Sequence, residues 1–368
     1  MSQLAPLKVA LLGAGTFAST THLHILLPLI AANHVTITLV WSRHSGPAHS
    51  LSAHYPNNPP VYYQLPSHPT PYASVEDALR AHRESDAVIV ALPPGPQNEF
   101  AKLARLLHFH VMLEKPLALD LPSARDLLRT SSAFEKGKVL ALAENFRFEP
   151  ALLRAAALVR QACGGVVTAR LNVKSPMPEG SRYGRGWRLE LDGPGILLDG
   201  CVHHFAALRL VMDADICRIA AKCHRRAAWF KGADTVAGYA IMTSGVQVSV
   251  FVTYASSVPL WELEVVGEKA DVMVRRDRNR AGYSVSVVSC GRENGQRVEE
   301  TEHVPFGGLE AEFEAFVESC RSAKVHPRLD AMHGFNDMAA VFALFQSSEE
   351  GREVTVEETG DLLPHEAP

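Results

Sequence analysis

The passage from strand to turn near the amino terminus constrains this chain more than any other feature. Lys8-Val9-Ala10-Leu11-Leu12 carries an apolar run after its first residue, the pattern of a strand buried on both faces, and it leads straight into Gly13-Ala14-Gly15-Thr16-Phe17-Ala18. That turn fits G-x-G-x-x-[G/A]. The first glycine makes the tight turn, the second lets backbone approach a pyrophosphate, and the third small residue lets the next helix pack close to the sheet. Glycine pairs occur in many turns, so the context decides. A helical pattern over 17–32 and a second β-rich run over 35–41 complete a βαβ unit. The unit predicts a dinucleotide held by Gly13, Gly15, Thr16, Phe17 and Ala18.

The end of the second run discriminates between dinucleotides. An acidic residue there accepts from the adenine ribose of NAD and repels a 2′-phosphate. This chain has Trp41-Ser42-Arg43-His44 instead. A hydroxyl and a guanidinium suit a phosphate, so Ser42 and Arg43 favour NADP(H) over NAD(H); the alternative is that Arg43 is a solvated surface residue.

The first half continues as strands alternating with helices. Six prolines between Tyr55 and Tyr72 suit an irregular surface excursion around one short strand. Helices are expected over 74–82, 97–107 and 122–134, and strands over 86–92, up to Glu114, and over 139–143. Six such strands predict a doubly wound parallel sheet. In Val111-Met112-Leu113-Glu114-Lys115-Pro116 an apolar run stops in a charged pair and a proline, which cannot extend a central strand. Ligands of open α/β sheets bind at the carboxyl ends of strands, which makes Lys115 a candidate for chemistry; a lysine simply capping the strand is the plainer reading.

At 368 residues the chain has room for two domains. The expected boundaries are a dinucleotide-binding domain over 1–144, an α+β domain over 145–348 and an acidic tail over 349–368. After a helix over 151–161, β-rich runs recur over 166–174, 216–223, 235–242, 246–254, 261–267, 270–274 and 283–290, with hairpin-sized links that predict a large, mostly antiparallel sheet. Helical spacing recurs over 309–320 and 332–345. A sheet larger than its helices can cover is a surface for a second copy, so a homodimer through it is expected.

Thirty-six basic against 40 acidic residues, with no basic run, argue against a nucleic-acid partner. Six cysteines without paired spacing, in a chain lacking a leader pattern, suggest reduced thiols in a cytoplasmic protein. The greasiest stretch, 23–40, is broken by His24, Pro28, Asn33 and His34, so no membrane span is expected. The partner left is a small-molecule substrate.

A second candidate lies in Gly193-Pro194-Gly195-Ile196-Leu197-Leu198-Asp199-Gly200-Cys201-Val202-His203-His204. On a helix expected over 196–212, Asp199 and His203 are spaced i,i+4 and share a face, while His204 is rotated by about 100°. The pair serves either a polar site or a structural hydrogen bond. Cys201, His203 and His204 point in different directions, so no metal site is expected.

Taken together, the GAGTFA turn, Glu114-Lys115-Pro116, Glu144-Asn145-Phe146-Arg147-Phe148-Glu149-Pro150, Gly186-Trp187-Arg188 and the segment from Gly193 to His204 resemble the Gfo/Idh/MocA oxidoreductases. The resemblance runs in order over nearly the whole chain. It implies an N-terminal Rossmann domain that binds NAD(P), with Leu92, Pro93, Gln97, Glu114, Lys115 and Asn145 joining the cofactor contacts. It also implies a catalytic group of Lys115, Asp199 and His203 acting on a polyol or sugar. The chain departs from the family where Cys201 replaces a glycine and Ala206 a second acid, and Gln97 stands where a histidine is common. Arg147, Tyr183, Trp187 and Arg188 are candidate substrate contacts. The expected chemistry is hydride transfer between nicotinamide C4 and a carbinol or carbonyl carbon. In it His203 or Lys115 is the acid/base, and Asp199 orients the ring or binds a neighbouring hydroxyl. An aromatic or hydrophobic substrate such as a dihydrodiol, and a non-catalytic NADP-binding regulator, are the alternatives.

Overall fold

Apolar strands alternating with amphipathic helices produce, in the first half of the chain, the layered arrangement that the pattern predicts. The computed structural model describes residues 5–65, 71–133, 137–290 and 296–358. Part of the proline-rich excursion (66–70) and the end of the acidic tail (359–368) therefore lie outside the described residues. Contacts divide the chain into two compact units.

The first unit holds β1 (Leu7–Leu12), β2 (Val35–Ser42), β3 (Val61–Tyr63), β4 (Ala87–Val90), β5 (His110–Glu114) and β6 (Leu140–Ala143). All pairings are parallel and the order is β3-β2-β1-β4-β5-β6. The order reverses between β1 and β4, opening a crevice at the strands' carboxyl ends. The helices are α1 (Leu23–Ala31), α2 (Ser45–Ser52), α3 (Pro71–Ala81), α4 (Pro94–Leu106) and α5 (Leu121–Ala133). Helix α2 has no counterpart in the sequence reading, because its glycine, proline and three serines resemble a turn. Helix α4 starts earlier than expected, since Pro94 sits in its first turn, where a missing N–H costs nothing.

The second unit begins at Glu144. It contains α6 (Pro150–Ala162), β7 (Val166–Lys174), α7 (Ile196–Met212), β8 (Ile216–His224), β9 (Thr235–Met242), β10 (Gln247–Thr253), β11 (Leu260–Gly267), β12 (Ala270–Arg276), β13 (Tyr283–Cys290) and β14 (Arg297–Val304). These join β15 (Val354–Thr355) in one sheet, ordered β14-β13-β12-β11-β7-β10-β9-β8-β15. Every pairing is antiparallel except β10 with β7. Helix α6 packs on β12 and β13. Strand β14 escapes sequence reading because Arg-Val-Glu-Glu-Thr-Glu-His-Val lacks apolar alternation. As an edge strand it needs none, and its glutamates discourage further pairing.

Helices α8 (Gly308–Ser322) and α9 (Ala331–Glu350) follow. Chain order alone assigns both to the second domain, yet contacts place Leu309–Phe335 in the first unit. There Phe313 of α8 meets the His22 ring edge-on at 5.1 Å. The later part of α9 belongs to the second unit, where the hydroxyls of Ser347 and Ser348 accept the Ala221 and Cys223 N–H groups of β8. No described helix is long and apolar enough to cross a membrane.

One buried group makes stability depend on pH. The His110 Nδ1 on β5 accepts the Val139 N–H at 3.2 Å. Burial, reinforced by Lys138 and Arg105 and opposed by Asp86, pushes the ring from its ordinary 6.5 down to about 4. Between those values the unfolded chain holds more protons than the folded one. Stability present above the unfolded value is therefore lost as the pH falls toward 4, by about 2 kcal/mol after allowance for screening. Thermal melts of His110→Gln should lose this part of the acid slope. A slope equal to wild type would assign the acid sensitivity to other groups.

Candidate functional site

In the first unit the glycine turn sits at the reversal of the sheet. The Gly13 N–H donates to the Trp41 carbonyl at 2.8 Å, and its φ of +120° is one that side-chain-bearing residues rarely adopt. A Cβ at Gly13 would fall 2.2 Å from the Ala91 carbonyl oxygen. Gly13 is therefore a packing requirement of the turn. At Gly15 a Cβ would meet nothing within 4 Å, so its backbone has an open side, and this fits the approach of a pyrophosphate. Thr16 and Phe17 open the helical run, which passes through a π-turn over Ala18–His22 before α1.

That π-turn ends on a residue that sequence reasoning missed. The His22 Nε2 donates to Glu114 Oε1 at 2.6 Å, and the ring is almost fully buried against Phe17 and Phe313. Glu114, expected along the cofactor, is thus bound to the helix that follows the glycine turn. Lys115 follows it and is partly exposed. Gln97, also expected at the cofactor, is fully buried, and its amide donates to the Pro116 carbonyl. It holds the peptide that follows Pro116, one residue beyond Lys115. Leu92 and Pro93 are half-buried between β4 and α4. At the end of β2, Ser42 is half-buried and Arg43 exposed, immediately before the first turn of α2.

In the second unit α7 spans the residues expected of it and is apolar on most sides, as a core helix must be. Asp199 and His203 share one face, but each bonds to a different partner. Arg188 Nε donates to Asp199 Oδ2 at 2.7 Å, while His203 Nδ1 lies 2.6 Å from Glu144 Oε1. The expectation that Asp199 orients the histidine is corrected: Glu144 holds that ring. Glu144 caps a short 3-10 turn, Asn145–Arg147, and its Oε1 also accepts the Phe146 N–H at 3.1 Å. The Phe146 ring stacks on His203 at 4.9 Å.

The neighbouring histidine has a different task. Trp261 Nε1, which can only donate, lies 3.2 Å from His204 Nδ1. That nitrogen therefore carries no proton, and Nε2 donates to the Tyr254 hydroxyl at 3.3 Å. Burial holds the Tyr254 phenol well above its ordinary pKa. A Cβ at Gly200 would fall 1.6 Å from that hydroxyl, which explains the glycine one place before Cys201. Cys201 is fully buried, and burial raises its thiol pKa.

The four candidate substrate contacts divide. Arg188 lies over the rings of Trp187 at 4.3 Å and Tyr183 at 5.1 Å, so these three form one cluster with Asp199. Arg147 does not join it. The Arg147 guanidinium is buried and bonds Asp337, which also accepts from Arg209 Nη1 at 2.6 Å. The expectation for Arg147 is corrected to a role in the core. Asn145 is half-buried beside it in the chain.

A parallel sheet in this order, with a glycine turn at its point of reversal, defines a dinucleotide-binding Rossmann fold. The chain belongs to the Gfo/Idh/MocA family. Residues 7–143 match its model of an oxidoreductase NAD-binding Rossmann fold, and 152–273 match its C-terminal domain. Dehydrogenase FPY6 of Fusarium mangiferae is 27% identical over 350 residues, 92% of this chain and 96% of that protein. D-xylose 1-dehydrogenase (NADP(+)) 2 of Haloferax volcanii is 34% identical over 117 residues, 31% of this chain and 34% of that one. The crystal structure of an oxidoreductase from Thermotoga maritima has a TM-score of 0.79 at 24% identity, covering 97% of this chain and 100% of that chain.

Proposed function

We propose that the protein is an NADP(H)-dependent oxidoreductase that interconverts a carbinol and a carbonyl on a small hydroxylated substrate, a sugar or polyol. The observation that carries this reading is His203. It is a partly exposed imidazole whose Nδ1 is hydrogen-bonded and whose Nε2 has no hydrogen-bond partner among the described residues. Imidazole is the commonest general acid–base group in enzymes, and here one ring nitrogen is held while the other is left for a substrate. The xylose dehydrogenase relative supports both the sugar class and the phosphorylated cofactor.

The turn from Gly13 to Ala18 would hold the pyrophosphate, and Ser42 with Arg43 the 2′-phosphate, aided by the amino-terminal N–H groups of α2. The bound nicotinamide supplies the hydride acceptor or donor at C4. During oxidation His203 Nε2 takes the hydroxyl proton as the C–H bond gives up its hydride and the C=O bond forms. The Lys115 ammonium donates to the reacting oxygen and steadies the charge developing there. Asp199, with its charge balanced by Arg188, accepts from a neighbouring substrate hydroxyl.

A panel of aldoses and polyols, D-xylose first, should show turnover with NADP⁺ above that with NAD⁺. Replacing Arg43 with Ala removes one charge-assisted contact and should lower kcat/KM for NADP⁺ by about 10- to 100-fold. NAD⁺ kinetics should hardly move. Equal use of both cofactors, unaffected by Arg43→Ala, would sink the cofactor assignment.

A further inference from the structure

We propose that Glu144 is a positioning residue that fixes His203 in one tautomer, with the proton on Nδ1 and the lone pair of Nε2 presented for proton transfer. The inference rests on the assignment of His203 as acid/base and deepens it.

Three contacts define the ring. In its plane, His203 Nδ1 and Glu144 Oε1 are 2.6 Å apart. Across its face, Phe146 stacks at 4.9 Å with an interplanar angle of 23°. The carboxylate is itself anchored, because Oε1 also accepts the Phe146 N–H at 3.1 Å. One short 3-10 turn therefore supplies both the stacking ring and the carboxylate, and the in-plane bond and the stack restrain the imidazole in perpendicular directions.

Oε1 already accepts the Phe146 N–H, so it faces Nδ1 as an acceptor and Nδ1 is the protonated nitrogen. Nε2 is then the basic atom. When the substrate O–H bond breaks and its proton moves to Nε2, the imidazolium that results is already paired with a carboxylate. Burial makes the pairing effective: the Glu144 side chain is 1% exposed and that of His203 is 20% exposed. The acid stays in a low-dielectric setting while the base keeps a solvent-facing edge. Asp199, the acid nearest in sequence, is bonded to Arg188. The two carboxylates thus divide the work, one on the ring and one at the substrate.

Nitrogen-15 spectra of the full-length protein labelled at histidine, with the His203 signals assigned by their loss in His203→Gln, read the tautomer without any substrate. Wild type should show protonated Nδ1 and unprotonated Nε2. Glu144→Ala should mix or invert the pattern and lower kcat about 100-fold on the best substrate of the panel, with KM for NADP⁺ near wild type. Glu144→Gln keeps an acceptor oxygen for Nδ1–H. It should retain the tautomer and recover about a tenth of wild-type kcat, and it decides the matter if Glu144→Ala does not fold. Protonated Nε2 in wild type, or Glu144 variants with wild-type spectra and kcat, would overturn the positioning role alone. Wild-type turnover in His203→Gln would overturn the acid/base assignment and the positioning role together.

Discussion

Replacing His203 with Gln, or Lys115 with Ala, should lower turnover by about 100-fold or more while NADP(H) binding stays near wild type. The two losses have different origins. On the proposed reading, His203→Gln removes the group that exchanges the hydroxyl proton, and general acid–base catalysis contributes about 10²–10⁴ in rate. On the same reading, Lys115→Ala removes a charged donor to the oxygen on which charge develops, and donors of this kind contribute a similar factor. Both losses should appear in kcat, since each interaction strengthens as the reaction proceeds. Single-turnover kinetics with preloaded cofactor separate this step from binding. Unchanged turnover in both variants would remove the catalytic assignment.

The largest effect on stability should come from Asp337. It is 1% exposed and accepts from two guanidinium groups, those of Arg147 and Arg209. Burial works against the Arg209 charge, but Asp337 and Asp215 more than compensate and keep it above its ordinary pKa. Asp337→Ala takes the shared acceptor from two buried cations and leaves Arg209 to Asp215 at the edge of the network. Breaking a buried pair in this way costs about 3–5 kcal/mol, a fall in melting temperature on the order of 10 °C for a unit of this size. Asp215, half-exposed at the edge of the same network, is the control. Its replacement should cost under about 1 kcal/mol. Replacing Asp337 with Leu and Arg147 with Met together should recover part of the loss, because one uncompensated charge then disappears. Equal melting temperatures for Asp337→Ala and wild type would show that the network contributes nothing.

Much of the fold could be read along the chain because its signals are local. The buried strands β1, β2 and β5 are short apolar runs closed by turn residues, and α7 begins after a glycine with positive φ and ends at Asp213 in the left-handed conformation. Helix α2 and strand β14 carry neither signal. The site is only partly legible for a related reason. Spacing along α7 puts Asp199 and His203 on one face, but it says nothing of acceptors from elsewhere in the chain. Glu144 lies 59 positions from His203, and Glu114 lies 92 from His22. Both glutamates stood inside motifs already singled out, yet their partners depend on tertiary packing. Arg147 fails as a substrate contact on the same ground, since its acceptor is 190 positions away.

The order of the parallel sheet keeps two traits apart. Strand β2, which ends in Ser42, and β5, which ends in Glu114, have β1 and β4 between them. At about 4.8 Å per strand that is roughly 14 Å. Side chains this far apart do not touch, and changes at separated positions usually combine additively. If Ser42 and Arg43 set the coenzyme preference as proposed, that preference can be re-engineered without a matching adjustment at the strand-end lysine.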